Sequence, residues 1–212
     1  QVICRGWLAG LEDRGRHNFR YKVFSLLFGL VNRQTFSRAF EVGRRHYDLG
    51  NDLFEAMLDT SMNYSCGYWR NSETLEDAQK AKMDLICRKL ELEKGMRVLD
   101  VGCGFGGLAR WLASQYDVSV AAVTVSEQQA SLARERCANL PVTVDLVDYR
   151  QVTGAFDRIV SVGMFEHVGP KNYRTFFSKI ASLLKPEGLF LLHTIGAGDH
   201  TCPADQWTEK YK

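Results

Sequence analysis

The sequence predicts a mostly parallel, doubly wound α/β domain preceded by a helical segment, and three observations predict it. Short apolar runs alternate with helix-like stretches from Arg97 onward. A glycine-rich turn joins the first apolar run to the helix-like stretch after it. The length of 212 residues, 45% hydrophobic, allows one sizeable core with an appendage rather than two full domains.

From Arg16 to Ala39, apolar Phe19, Val23, Leu26, Leu27, Leu30 and Val31 recur at helical spacing between Arg16, Arg20, Lys22, Arg33 and Arg38. That amphipathic stripe suits packing against the main domain, the commoner fate, or an anionic membrane surface. NDLFEAMLD, starting at Asn51, reads as a helix start, and Glu73 to Leu92 as a longer helix. Between them, Tyr64-Ser65-Cys66-Gly67-Tyr68-Trp69 is a polar-aromatic loop. Strands follow at Arg97 to Val101, Val118 to Val123, Val142 to Leu146, Arg158 to Val162 and Leu189 to His193. Helices fall near Gly107 to Gln115, Glu127 to Ala138 and Lys171 to Leu184.

Composition narrows the function. A net charge of +2 is too mild for a nucleic-acid binder, although Gln1 to Arg45 carries nine Lys/Arg against three Asp/Glu. The six cysteines form no C-x-x-C pair, so neither a zinc site nor a disulfide framework is indicated, and a reduced cytoplasmic setting fits best. The longest apolar stretch, Val23 to Val31, falls far short of the roughly 20 residues a membrane span needs.

Val98-Leu99-Asp100-Val101 runs directly into Gly102-Cys103-Gly104-Phe105-Gly106-Gly107 and then a helical sequence. Glycines serve there because the chain turns sharply and its backbone must approach a ligand, so Gly102, Gly104 and Gly106 are candidates for cofactor contact. The loop also satisfies the dinucleotide pattern, but the second strand ends in Val123-Thr124-Val125-Ser126 with no acidic ribose ligand, which counts against a nicotinamide cofactor. Asp100, two residues before the first glycine, is ill placed beside a pyrophosphate. It is well placed beside a ligand bearing an ammonium and a sulfonium.

Glu166 follows the fourth strand and His193 ends the fifth, where open α/β sheets bind ligands. Each is either a functional group or the filler of a polar niche. Cys66 lacks an activating sequence, which favours a structural thiol over a nucleophile. Tyr64, Tyr68 and Trp69 suit a lid attracting a sulfonium or ordinary aromatic packing.

HYDLGNDLFEAMLD (46–59), MNYSCGYW (62–69), VLDVGCGFGGLA (98–109), VTVSEQQ (123–129), DRIVSVGMFEHVGPKNY (157–173) and LFLLHTIG (189–196) together resemble the cyclopropane-fatty-acid synthases, a family that includes phospholipid and mycolic-acid cyclopropane synthases. The wording is nearer the phospholipid enzymes. The resemblance implies a Rossmann-like S-adenosylmethionine-dependent methyltransferase fold with its last strands truncated. Residues 46–212 would then be the catalytic domain, lacking its carboxyl-terminal end, and residues 1–45 a basic helical connection from a missing amino-terminal domain.

The resemblance also implies roles. Tyr64, Ser65, Gly102, Gly104, Thr124 and Gln129 match positions that hold S-adenosylmethionine, with Thr124 and Gln129 replacing the acidic ribose ligand; Asp148 and Tyr149 fall where such domains contact adenine. Cys66, Glu166, His193 and Ile195 match positions around a bicarbonate ion that acts as general base, a site that in the family also uses a tyrosine downstream of Lys212. The implied substrate is a phospholipid with unsaturated acyl chains, met by transient contact with the inner membrane surface, and homodimerisation through absent regions is a further expectation. The alternatives are a family member making a branched or hydroxylated chain, and a lipid-binding relic without catalysis. The fragment alone is expected to be weakly active or inactive.

Overall fold

The computed structural model describes residues 51–196, so the amphipathic stripe, the boundary at residue 45 and the first five residues of HYDLGNDLFEAMLD lie outside the described residues. Residues 51–195 belong to one compact unit. Helix α1 spans Asn51–Met57 and α2 spans Leu75–Lys89. Thr74 caps α2, its hydroxyl accepting the Asp77 N–H at 3.2 Å while donating to Asp77 Oδ2 at 2.7 Å. Acidic Glu76 and Asp77 in its first turn and basic Arg88 and Lys89 in its last complement the helix dipole.

The alternating pattern then builds β1 (Arg97–Val101), α3 (Gly107–Tyr116), β2 (Ser119–Thr124), α4 (Glu127–Arg136), β3 (Val142–Leu146), β4 (Phe156–Val162), α5 (Tyr173–Leu183) and β5 (Leu184–His193). All four pairings are parallel, in the order β3-β2-β1-β4-β5. Consecutive residues of β1 serve opposite faces: Val98 joins Leu112, Ala130 and Ala133, whereas Leu99 joins Phe176, Ile180 and Leu183. Both faces are covered, as expected for a parallel sheet.

Most boundaries fall within two or three residues of expectation, and two of the shifts have an identifiable cause. β5 begins at Leu184 rather than Leu189, because Leu184 pairs with Phe156 ahead of an irregularity at Phe156/Arg158, a pairing that the turn-like KPEG masks. α5 starts at Tyr173 rather than Lys171, because Pro170–Asn172 forms a separate 3₁₀ turn. The strand order reverses beside β1, and the carboxyl ends there open the crevice in which such sheets bind ligands.

Candidate functional site

A cavity occupies that crevice, and the glycine turn forms its floor. Gly102 and Cys103 both donate their N–H groups to the Val123 carbonyl, at 2.9 and 3.0 Å, which folds the turn back over β2. Gly102 has φ +87°, and a Cβ there would stand 2.7 Å from the Met164 side chain. Gly104 (φ +53°) also lines the cavity, and a Cβ there would meet nothing within 4 Å. Gly106 is the exception among the predicted cofactor glycines. It caps α3 at φ +81° with its α-carbon turned to Ala133 of α4, 3.0 Å from where a Cβ would sit, and it does not line the cavity. Its requirement for glycine comes from that positive φ together with helix packing.

Four separate segments close on this floor. Tyr64 and Ser65 line the cavity from the loop after α1, and a Cβ at Gly163 would lie 3.8 Å from Ser65 Cβ. Tyr64 is half exposed, its ring edge-on to Phe54 at 5.5 Å. Trp69 does not line the cavity, and Tyr68 is fastened by its N–H to the Ala78 carbonyl.

Asp100 lines the cavity while only 1% exposed, and its Oδ2 has no hydrogen-bond partner among the described residues. Burial pushes its carboxyl up to about 7. A buried carboxylate oxygen without a partner is costly, so this position calls for a cation or donor from a ligand.

At the tip of β2 the Thr124 hydroxyl donates to Gln129 Oε1 at 2.9 Å and accepts the Ser126 N–H at 3.3 Å. Ser126 caps α4 by accepting the Gln129 N–H. In a Ser-x-x-Gln capping box the glutamine Oε1 would accept the Ser126 N–H. Here Thr124 accepts that N–H and donates to Oε1 instead, while the Gln129 amide nitrogen makes no hydrogen bond among the described residues. Asp148, buried, accepts the Arg150 N–H at 2.9 Å and pairs with its guanidinium at 3.4 Å. Tyr149 is buried beside it, edge-on to Phe176. Both line the cavity.

The predicted reactive group is brought together in part. Glu166 lies in the 3₁₀ turn Phe165–His167, between the cavity-lining Met164 and His167. Its Oε1 accepts the Ile195 N–H at 2.8 Å, joining the ends of β4 and β5. Its Oε2 is buried without a hydrogen-bond partner among the described residues, as is His193 Nδ1. His193 pairs with Val162 in the sheet, and its carbonyl accepts the Gly163 N–H. Each of these two buried polar atoms lacks a protein partner, which is costly unless a ligand or water supplies one. Cys66 is exposed on the loop opposite and makes no hydrogen bond to either. The buried thiols are poor nucleophiles, burial pushing Cys87 up to about 12 and Cys103 well above the ordinary thiol range. Among the described residues no group of His, Cys, Asp and Glu could hold a metal ion.

Two residues that sequence reasoning missed support the loop from below. Gln79 and Lys82, 2% and 5% exposed, lie on the buried face of α2. Gln79 donates to the Ser65 carbonyl at 2.8 Å and Lys82 to Ser65 Oγ at 2.7 Å. Their signal was present: positions 75, 78, 79, 82, 83 and 86 form one helical stripe, which places a lysine among apolar residues.

Known proteins are similar to this chain in sequence and fold. The chain is 56% identical over 203 residues to the cyclopropane-fatty-acyl-phospholipid synthase of Escherichia coli (strain K12), covering 96% of this chain and 53% of that one. The chain thus spans about half the length of this curated relative. The crystal structure of mycolic acid cyclopropane synthase CmaA1 complexed with SAH and CTAB is similar, with TM-score 0.70 and 42% identity over 72% of this chain and 55% of that one. Coclaurine N-methyltransferase bound to N-methylheliamine and SAH is also similar, with TM-score 0.74 and 28% identity, over 91% of this chain and 58% of that one. The fold is the Rossmann-like fold of S-adenosylmethionine-dependent methyltransferases. Since the profile of the mycolic acid cyclopropane synthetase family matches residues 34–211, most of the sequence, the chain belongs to that family.

Proposed function

We propose that the protein carrying this chain uses S-adenosylmethionine to convert the cis double bond of an unsaturated phospholipid acyl chain into a cyclopropane ring, with bicarbonate as general base. Residues 46–212 are the catalytic part in this reading and residues 1–45 the connection to it. The observation that carries the reading is the Glu166 carboxylate, tied at one oxygen to Ile195 and orphaned at the other, one residue from the wall of a glycine-floored cavity.

S-adenosylmethionine, when bound, supplies an electrophilic methyl group. Asp100 would hold its ammonium, Ser65 and Tyr64 the rest of its amino-acid end, Thr124 and Gln129 the ribose, and Asp148 and Tyr149 the adenine, all of them lining one cavity. The glycine floor, with Gly104 opening onto free space, lets the backbone approach it. Met62, Phe105, Leu108, Val123 and Met164 give the cavity apolar walls that exclude water. An alkene is a weak nucleophile, so orientation in a dry site carries much of the rate.

Bicarbonate, when bound, supplies a base. Glu166 Oε2, His193 Nδ1 and the chain around Cys66 and Ile195 would hold it, and the Ile195 N–H keeps the Glu166 carboxylate from rotating. The substrate lies in a bilayer, so the protein works at the cytoplasmic membrane surface. Among the described residues no helix is long and apolar enough to cross a membrane, and the basic residues 1–45 favour anionic lipid.

Expression of the intact protein in a bacterial host, followed by mass spectrometry of its lipids, tests the reading. Monounsaturated chains should gain one CH2 and become resistant to hydrogenation. A gain of CH2 with hydrogen at the new branch, or an unchanged lipid profile, overturns it.

A further inference from the structure

Lys82 is a buried cation that the functions above leave unused. Its ammonium has three donors, but among the described residues it makes one hydrogen bond, to the neutral Ser65 Oγ at 2.7 Å, and has no carboxylate within ion-pair distance. The nearby Asp59 raises its proton affinity, yet both Asp59 oxygens are occupied by the N–H groups of Ser61 and Asn63 and by the Asn63 amide. Burial prevails and pulls Lys82 down to about 8. A buried charge with one neutral partner is poorly compensated, which points to an anion supplied from outside the chain.

Ser65 shows where that anion sits. Because Lys82 donates to Ser65 Oγ, the hydroxyl hydrogen of Ser65 is turned away from the ammonium, and Ser65 lines the cavity. Gln79 fixes the same residue through its carbonyl, so the hydroxyl has little freedom to turn. The same cavity holds the orphaned Asp100 carboxylate. One negative and one positive position match the two ends of an α-amino-acid zwitterion.

We infer that Lys82 is a positioning residue for the cofactor's α-carboxylate: it fixes the Ser65 hydroxyl as a donor to that carboxylate and lends its charge from the layer behind. This rests on the S-adenosylmethionine reading. Lys82 does not line the cavity, so it acts through Ser65.

Calorimetric titration of the intact protein with S-adenosylhomocysteine and with 5′-methylthioadenosine, which keeps the nucleoside and sulfur but lacks the amino-acid end, tests the inference. Lys82→Met should weaken S-adenosylhomocysteine about tenfold, the scale of one charge-assisted hydrogen bond, and leave methylthioadenosine within about twofold. Equal losses for both ligands would reduce Lys82 to a prop for the loop and overturn the inference, as would no loss for either. If circular dichroism shows Lys82→Met unfolded, Ser65→Ala carries the same comparison: a selective loss supports the inference and an equal loss overturns it. Unaltered protein that binds neither ligand would overturn the cofactor reading itself, and the role of Lys82 with it.

Discussion

Glu166 Oε1 accepts the backbone N–H of Ile195 at 2.8 Å across 29 residues of sequence, fastening the turn after β4 to the chain leaving β5. That bond fixes one carboxylate oxygen and leaves Oε2 buried without a partner among the described residues. Asymmetry of this kind suits a group that must present one oxygen in a constant direction. Glu166 also stands outside the lining of the cofactor cavity.

Glu166→Gln therefore separates chemistry from cofactor binding. The amide keeps the shape and its Oε1 still accepts from Ile195, but the second position becomes a donor. Turnover should fall by roughly a hundredfold, on the order of the contribution of a positioned base. S-adenosylhomocysteine affinity should stay within about twofold, since no cofactor contact is altered. Turnover assays on vesicles of unsaturated phospholipid beside calorimetry check both halves, and parallel losses would place Glu166 in the cofactor site.

Asp100 makes ligand-free stability depend on pH in an unusual direction. Its carboxyl is raised from the ordinary 3.8 to about 7 by burial. The folded state thus holds the proton across that window while the unfolded state has released it. Stability falls as pH rises through the window and is lowest above about 7, where the charge is buried unpaired. Asp100→Asn should raise the melting temperature of the ligand-free protein at pH 8 and change it little at pH 4. The same variant should weaken S-adenosylhomocysteine at pH 8, because the ammonium loses its counter-charge. In the unaltered protein that affinity should climb as pH rises through about 7, and in the variant it should not.

Gly102 and Gly104 both have positive φ, at +87° and +53°, but differ in surroundings. Gly102→Ala meets the Met164 side chain at 2.7 Å, so strain and clash add, and about 2–4 kcal/mol of stability should be lost. Gly104→Ala meets nothing within 4 Å and should cost about 1 kcal/mol, the dihedral penalty alone. Its methyl group sits in the wall of the cavity instead, so S-adenosylhomocysteine affinity should suffer more than stability. Urea denaturation without ligand, set beside calorimetry, distinguishes the two patterns.

How far the sequence reached depends on whether a feature is local. All five strands were legible because each is a short apolar run between turn signals, and the glycine turn because its neighbours are a strand and a helix. The partnership of Glu166 with Ile195 was not a local fact; it follows from the register that sets Val162 against His193. Gly106 read like its neighbours Gly102 and Gly104, yet its glycine serves a left-handed helix cap packed on Ala133 of another helix and not the cavity. Lys82 was hidden for the opposite reason. Lysine is so seldom buried that its place on an apolar stripe passes for noise until Ser65 is seen above it.

Gln129 offers the last test, because its helix-capping position and its ligand-facing amide make separable demands. The backbone N–H of Gln129, not its side chain, bonds the Ser126 cap, so Gln129→Leu leaves the start of α4 intact. The Thr124 hydroxyl loses its 2.9 Å acceptor, a buried loss of about 1 kcal/mol in stability. If Gln129 meets the ribose as proposed, binding loses both amide donors, and S-adenosylhomocysteine should weaken by about tenfold or more. Gln129→Glu restores an acceptor for Thr124 and supplies the acid that such sites commonly use, so it should recover affinity that leucine does not. Calorimetry on both variants checks this ordering, and equal binding by the leucine and glutamate forms would remove residue 129 from the ribose site.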